Sequence, residues 1–284
     1  MKLYKEFIVT VEPFIPEILS GVLWELDITG INEEVNCLKL FASEESSISI
    51  KEISEQLNKL VKEKMIFNFQ VEENLLEDKN WNEEWEKSVN VIEVSDKLVI
   101  KPTFRDYNAK PGQIIITIDP KMSFGTGEHQ TTKLVLLFLE KYIKNGIKVL
   151  DVGSGTGVLA IAAIKLGAKS AVAVDNDEWC SLNGKENCRL NLVDEKVDIR
   201  LGEIKNIGEK DFDLITANIQ KNILLEIAEE IKAKLKPRGM VILSGLLFPD
   251  EEDIIKKYSA LGFEIIEKKF LGEWIAIAAR LKNG

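Results

Sequence analysis

The stretch VLDVGSGTG, residues 149–157, constrains the fold of this chain more than any other. An apolar run ends at Asp151, and glycines follow at Gly153, Gly155 and Gly157. Because glycine has no Cβ, the backbone here can adopt positive φ angles and a ligand can approach the main chain closely. The stretch therefore predicts a ligand-binding turn directly after a buried strand.

The residues that follow complete one half of a nucleotide-binding sheet. VLAIAAIKLGA (158–168) is apolar on nearly all sides, which predicts a buried helix that ends at Gly167. AVAVD (171–175) predicts a second buried strand with a carboxylate at its carboxyl end. Strand, glycine turn, helix, strand and acid, in this order, indicate a doubly wound α/β sheet.

The spacing of the glycines and acids indicates the class of ligand. A dinucleotide site has the pattern G-x-G-x-x-G, which seats a pyrophosphate on a helix N-terminus, whereas this turn is G-x-G-x-G. Asp151 beside the turn would repel a pyrophosphate but suits the ammonium and sulfonium groups of S-adenosylmethionine. Asp175, about twenty residues past the turn, is placed for ribose hydroxyls. A turn needed only for tight packing would explain any one glycine but not both acids.

Composition limits the location and the chemistry. With 284 residues and 45% hydrophobic content, the chain is long enough for two globular domains. No apolar run approaches ~18 residues, and the N-terminus lacks the layout of a signal peptide, so we expect a soluble, cytoplasmic protein without membrane contact. Three scattered cysteines and a single histidine predict neither structural disulfides nor a metal site.

The charge balance bears on the partner. Thirty-seven basic and 47 acidic side chains give a formal charge of −10 at pH 7. Such a surface repels the phosphates of a nucleic acid. We therefore expect a basic protein as the partner and no direct contact with nucleic acid. We also expect a monomeric chain.

Residues 1–75 predict a separate substrate-recognition domain of the α+β, ferredoxin-like kind. Alternating and helical spacings of apolar residues give the order β-α-β-α-β. The predicted elements are strand 2–12, helix 16–30, strand 34–43, helix 48–64 and strand 65–74, and a short extra strand fits residues 46–50.

Residues 76–110 predict a connection made of a helix and a hairpin. Trp81 and Trp85 are four residues apart, so their rings share one face of a helix. The two rings can attach this helix to the next domain or contact the partner. The hairpin turns around Ser95 and Asp96.

Residues 111–284 predict a domain built around the glycine turn. Further strands are expected at 113–119, 197–203, 211–219 and 240–247, further helices at 133–143, 176–191, 221–239 and 249–262, and a closing antiparallel pair of strands at 263–281 that turns at Gly272.

The loop DPKMSFGTGEHQTT, residues 119–132, is the second unusual stretch. It is not a P-loop, because no Lys-Ser/Thr follows its second glycine. Since it enters a helix that precedes the first strand of the sheet, we expect it to lie across the ligand crevice. Phe124 contacts the ligand there or plugs the core, and Thr132 binds the ligand or caps the helix. His129 either hydrogen-bonds the carboxylate of the methyl donor or fixes the loop.

Asn218 stands at the carboxyl end of the predicted strand DFDLITANI, residues 211–219. In such sheets this strand lies beside the strand that carries the glycine turn, so the asparagine falls where the transferred methyl group is expected. Asparagine at a strand end is also a common turn former.

These motifs together resemble the PrmA-type ribosomal protein methyltransferases, which modify protein eleven of the large ribosomal subunit. The resemblance spans nearly the whole chain, and it is specific because the FGTG-x-H-x-TT loop occurs together with the methyltransferase turn. It implies a seven-stranded, Rossmann-like class I methyltransferase sheet in residues 111–284 and an N-terminal domain that captures the substrate. It implies S-adenosylmethionine as donor, S-adenosylhomocysteine as product, and trimethylation of lysine amines and of the N-terminal amine.

By position, the resemblance assigns donor binding to several residues already singled out. They are Thr132, Gly153, Asp175 and Asn218, with Phe124, His129 and Gly155 nearby. The chain departs from the family at Lys121, where Gly is frequent, at Glu128 and Gln130, where the family has Thr-His-Pro around the histidine, and at Ser154, where it has Cys. These departures leave the donor site intact but weaken the inference that the target protein is the same.

We therefore predict a protein-lysine methyltransferase in which Asn218 orients the amine. The sequence ANIQ lacks the Pro-Pro-aromatic that methyltransferases of exocyclic amines place after this residue. The alternatives are methylation of a lysine in another protein, of RNA or of a small molecule, a nicotinamide-dependent oxidoreductase, and a donor-binding protein without catalysis.

Overall fold

A computed structural model describes residues 3–43, 45–77, 89–119, 125 and 127–282. The chain divides into two compact units between Ser88 and Val89. This division falls inside the predicted connection of residues 76–110, and the predicted limits at 75 and 110 remain predictions. The predicted pair Trp81 and Trp85 lies outside the described residues.

The first unit is a four-stranded antiparallel sheet with two helices. Its elements are β1 (Leu3–Glu12), α1 (Pro16–Leu23), β2 (Gly30–Glu34), β3 (Cys37–Ser43), α2 (Ile50–Lys62) and β4 (Asn68–Glu77). The strand order is β2-β3-β1-β4. The element order β-α-β-β-α-β is that of the ferredoxin-like motif. Alternate apolar residues of β1 and β3, such as Phe7 and Leu40, pack with apolar residues of the helices, such as Leu19 and Leu57.

Two expectations for this unit were wrong. The extra strand is Gly30–Glu34 rather than residues 46–50, because the hydroxyl of Ser46 is used in bonds to Asp27 and Ser49 caps α2 in a capping box with Glu52. The first helix ends at Leu23 rather than at residue 30, because the following segment turns and then pairs with β3.

A small three-stranded sheet opens the second unit. It consists of β5 (Ile92–Glu93), β6 (Leu98–Lys101) and β7 (Ile114–Thr117). The predicted hairpin joins β5 to β6 and is confirmed, since Ser95 Oγ accepts bonds from the backbone N–H groups of Lys97 (3.1 Å) and Leu98 (3.0 Å).

The seven-stranded sheet of the second unit confirms the predicted α/β architecture. Its strands are β8 (Lys148–Val152), β9 (Ser170–Asp175), β10 (Val197–Leu201), β11 (Phe212–Asn218), β12 (Leu235–Leu247), β13 (Phe263–Leu271) and β14 (Trp274–Leu281). Their order is β10-β9-β8-β11-β12-β14-β13. The first five strands are parallel, and β14 runs antiparallel to both of its neighbours. The closing pair therefore turns at Gly272, as expected.

Helices cover both faces of this sheet. They are α3 (Gln130–Tyr142), α4 (Val158–Lys165), α5 (Glu178–Leu190), α6 (Lys221–Glu226), α7 (Ala228–Lys234) and α8 (Glu251–Ala260). One core cluster contains Phe138 and Ile161, from α3 and α4, and the other contains Leu224, Ile231 and Ile254, from α6, α7 and α8. As predicted, α4 is buried along its apolar length, and Gly167, with φ +115°, follows its end.

The single helix predicted at residues 221–239 is instead two short helices. The chain kinks at Ile227, which ends α6 and starts α7, and the second helix stops at Lys234. Pro237 and Gly239 stand at the irregular start of β12, where the register to β11 shifts, and such positions tolerate a residue without a backbone N–H.

The topology places the predicted ligand residues at one edge. Because β8 pairs with β9 on one side and β11 on the other, the direction of chain progression reverses at β8. The glycine turn follows β8, and Asp175 and Asn218 are the last residues of β9 and β11. No helix in the described part of the chain has both the length and the apolar character needed to cross a bilayer.

Candidate active site

A cavity of about 770 Å³ lies at the carboxyl edge of the large sheet. Its walls include residues at or just after the ends of five strands, and the first residue of β14. These are Gly153, Asp175, Gly202, Asn218, Gly245 and Trp274. In doubly wound sheets ligands bind at this edge, next to the strand where the order reverses.

The glycine turn has the conformation that its sequence predicts. Gly153, Gly155 and Gly157 have φ angles of +72°, +52° and +79°, which residues with a Cβ rarely adopt. A Cβ on Gly153 would also collide with the side chain of Ile219, the residue that follows β11. The turn therefore presents bare backbone to the cavity beside Ile219.

Asp175 is held rigidly at the end of β9. Its Oδ2 accepts a bond from the N–H of Gly155 (2.8 Å), and its Oδ1 accepts one from the N–H of Asp177 (3.0 Å). Each carboxylate oxygen keeps a further lone pair, and the residue lines the cavity. This arrangement fits a pair of ribose hydroxyls.

We expect Asp175→Asn to weaken the binding of S-adenosylhomocysteine about tenfold. The amide has one acceptor oxygen instead of two, and its bonds lack charge assistance. Isothermal titration calorimetry measures the change. Asp177→Asn is the matched control, because Asp177 caps α5 through bonds from Trp179 and Cys180, and asparagine caps a helix equally well. Equal affinities in the two variants would contradict the role given to Asp175.

Asp151 lies behind the cavity and is fully buried. Its Oδ1 accepts a bond from the hydroxyl of Thr216 (2.7 Å), while its Oδ2 has no hydrogen-bond partner among the described residues. Burial, assisted by the negative charge of Asp175, raises the pKa of Asp151 to about 7. At neutral pH the carboxyl is therefore partly protonated, and its direct contact with a donor remains a prediction.

Asn218 and Thr132, which were both predicted to bind the methyl donor, lie close together. The Nδ2 of Asn218 lies 3.4 Å from Oγ1 of Thr132, in the first turn of α3. Thr132 is buried and does not cap the helix. The Oδ1 of Asn218 is buried and has no partner within the described ranges, while the residue as a whole lines the cavity.

His129 was predicted either to hydrogen-bond the carboxylate of the donor or to fix the loop, and its position is compatible with both roles. It caps α3, with Nδ1 3.4 Å from the N–H of Thr131 and 2.7 Å from its hydroxyl, and its ring also lines the cavity. The ring meets that of Trp274 in a T-shaped contact with centroids 4.7 Å apart. The sequence did not lead us to predict that Trp274 lines the cavity, although an aromatic residue at the start of the last strand could have indicated it.

Three of the predicted donor-binding residues in the described ranges do not line the cavity, namely Thr132, Asp151 and Gly155. Phe124 lies outside the described residues, so its contact remains a prediction. Gly155 acts through its N–H bond to Asp175 and is not part of the wall.

Asparagine side chains of α5 tie the glycine turn to the preceding loop. Asn187 donates from Nδ2 to the carbonyl of Thr156 (3.0 Å) and accepts at Oδ1 from the N–H of Asp119 (3.0 Å). The hydroxyl of Thr156 donates to the carbonyl of Gly125 (2.7 Å). Residues on both sides of the segment 120–124 are therefore fixed to the turn.

We expect Asn187→Leu to weaken S-adenosylhomocysteine binding about tenfold, because the turn and the loop lose their common anchor. Asn191→Leu is the matched control. Asn191, which follows α5 as its C-cap, is also buried, but it bonds the backbone of Thr117 and not the turn. Both variants should melt at lower temperature, and titration calorimetry should show reduced affinity for the first alone. A similar loss of affinity in both would show that the effect is general destabilisation.

Comparison with known proteins identifies relatives of the whole second unit and of part of the first. The model of the family "Ribosomal protein L11 methyltransferase (PrmA)" matches residues 20–282. A ribosomal protein L11 methyltransferase from Acetivibrio thermocellus is 38% identical over 205 residues, which cover 72% of this chain and 65% of the relative. One from Brevibacillus brevis is 38% identical over 233 residues, covering 81% and 74%.

A solved structure agrees with the fold. The crystal structure of a ribosomal protein L11 methylase from Lactobacillus delbrueckii subsp. bulgaricus is similar with a TM-score of 0.65 and 36% identity. The similarity covers 69% of this chain and all of that chain. Because the aligned region spans slightly less than two thirds of the Acetivibrio relative, activity and substrate do not follow from the alignment alone.

Proposed function

The chain belongs to the PrmA family of ribosomal protein L11 methyltransferases, and from this premise we propose that it transfers methyl groups from S-adenosylmethionine to lysine amines and the N-terminal amine of ribosomal protein L11. The observation that carries the proposal is the convergence of Gly153, Asp175 and Asn218 on one cavity at the edge where the strand order reverses. The formal charge of −10 suits a basic protein substrate.

The described residues fit the donor. Bare backbone at Gly153, the fixed carboxylate of Asp175 and the partly ionised Asp151 behind the turn suit a nucleoside that carries positive charge. When bound, S-adenosylmethionine supplies an electrophilic methyl group on a positively charged sulfur. The chain's contribution is to hold the reacting atoms in line, which can supply several kcal/mol of the barrier.

The acceptor nitrogen must be neutral to react. With an ordinary pKa near 10.4, roughly one lysine in a thousand or fewer is neutral at pH 7. Partial burial of the amine beside a positively charged donor lowers the pKa of the amine, so that it can release its proton to solvent before each transfer without a dedicated base. The unpartnered Oδ1 of Asn218 accepts an N–H bond from that amine and aims its lone pair. One amide acceptor leaves the nitrogen able to turn between successive transfers.

Family membership argues against the nicotinamide-dependent oxidoreductase alternative. An experiment distinguishes methylation of L11 from methylation of RNA, of a small molecule or of another protein. The intact chain is incubated with S-adenosylmethionine and either purified ribosomal protein L11 or ribosomal RNA, and products are weighed by intact-mass spectrometry. We expect up to three added methyl groups per modified amine on the protein and none on the RNA. Methylated RNA beside unmodified protein would contradict the proposal, and no transfer at all would leave a donor-binding protein.

The monomeric state, the cytoplasmic location and the capture of the substrate by the first unit belong to the same proposal. Size-exclusion chromatography with light scattering tests the first. Binding of L11 to the intact chain, compared with binding to the chain that lacks residues 1–88, tests the last.

A further inference from the structure

The cavity extends beyond the strands that carry the predicted donor residues. Gly153 follows β8, and Asp175 and Asn218 end β9 and β11. Gly245 and Trp274 belong to β12 and β14, on the far side of Asn218. Neighbouring strands lie about 4.8 Å apart, so Trp274 stands about two strand spacings past Asn218. This end of the cavity lies on the side of Asn218 opposite to Asp175.

A chain of contacts fixes the indole ring relative to Asn218. The amide of Asn218 lies against Thr132 in the first turn of α3, and His129 caps the same turn. One helical turn rises about 5.4 Å. The ring of His129 is fixed by Thr131 and meets Trp274 at an interplanar angle of 70°. The indole therefore packs against a ring that caps the same helical turn that contacts Asn218.

The acceptor changes its chemistry as it is methylated. An unmodified ammonium has three N–H donors, and each added methyl group removes one donor while it adds apolar surface. Asn218, an amide acceptor, therefore holds the amine less well after every transfer. An aromatic face gains instead, because it attracts a poorly hydrated cation through its π electrons.

We propose that Trp274 forms an aromatic wall that holds the mono- and dimethylated amine between transfers, with His129 as the residue that positions the indole. This inference rests on the proposed function and goes beyond it, because it makes Trp274 the residue that sets how many methyl groups each amine receives.

The first test is the distribution of products. In Trp274→Ala all transfers should slow, the first least, and the second and third about tenfold more than the first. Intact-mass spectra of L11 should then show mono- and dimethylated protein where the unaltered chain gives trimethylated protein. Trp274→Phe, which keeps an aromatic face, should restore most of the trimethylated product. Trp179→Ala is the matched control, since Trp179 is 77% exposed and does not line the cavity.

The second test measures binding without turnover. With S-adenosylhomocysteine present, Nα-acetyl-trimethyllysine amide and an analogue with a neutral tert-butyl group are titrated into the protein and followed by NMR. The cation should bind about fivefold or more tightly than the neutral analogue, and Trp274→Ala should abolish this preference. Equal binding of the two probes, or an unchanged product distribution in Trp274→Ala, would overturn the inference about Trp274. The proposed function would not be affected by these results if the unaltered chain methylates L11.

Discussion

Asn218→Ala should lower kcat for methylation of L11 about a hundredfold, while the affinity for S-adenosylhomocysteine falls no more than about threefold. The substitution removes the acceptor Oδ1, which has no protein partner in the described ranges, and so removes the group that aims the amine. It also removes the contact with Thr132, a long one at 3.4 Å, which limits the effect on the donor. Single-turnover kinetics and calorimetry measure the two quantities separately.

The chain offers a matched control for this change. Asn222→Ala makes the same substitution four residues later, at an exposed position of α6 that does not line the cavity, and should leave kcat unaltered. Asn218→Asp keeps an acceptor oxygen and should retain more activity than Asn218→Ala. If turnover by Asn218→Ala equalled that of the unaltered chain, orientation of the amine would have to come from another group.

The ligand edge was predictable because local signals and topology agree there. Glycines at positions 153, 155 and 157 predict a turn with positive φ angles, and Asp175 is the last residue of the next strand. Parallel strands joined by helices must bring their carboxyl ends to one edge, so these residues meet whatever the details of packing. Asn218 could be added because β11 lies beside β8 in sheets of this order.

The errors arose where distant contacts decide. The first helix stops at Leu23 because the segment after it turns and Gly30 pairs with β3, which no local pattern around residues 24–30 announces. Trp274 reaches the cavity because β14 is inserted antiparallel beside β12, far from the glycine turn in sequence. For His129 the sequence left two roles open, contact with the donor or fixing of the loop, because its contact with Trp274 exists only in the folded chain.

Ionisation of Asp151 lowers the stability of the fold but favours binding of a positively charged donor. A carboxyl that is buried, with one oxygen bonded to Thr216 and the other without a partner in the described chain, favours its protonated form. Its pKa of about 7 in the folded protein lies far above the ordinary 3.8. The folded state therefore binds a proton that the unfolded chain releases, and stability is lost as pH rises between those two values. A cationic donor would favour the ionised carboxylate. The negative charge of Asp151, which lowers the stability of the folded protein, would then increase the affinity for the donor.

We expect Asp151→Asn to raise the melting temperature of the second unit at pH 8 by about 10 °C, and to change it little at pH 4. A difference of about three pKa units corresponds to about 4 kcal/mol, which the neutral amide does not lose above pH 7.

The affinity for S-adenosylmethionine should depend on pH in the opposite direction to the stability. It should tighten as pH rises through 7 in the unaltered chain, and it should be weaker and independent of pH in the variant. Differential scanning calorimetry and titration calorimetry across this range measure both effects, with Asp106→Asn, a change at an exposed position of the same unit, as the control. Identical melting of the variant and the unaltered chain at every pH would show that Asp151 carries no buried charge.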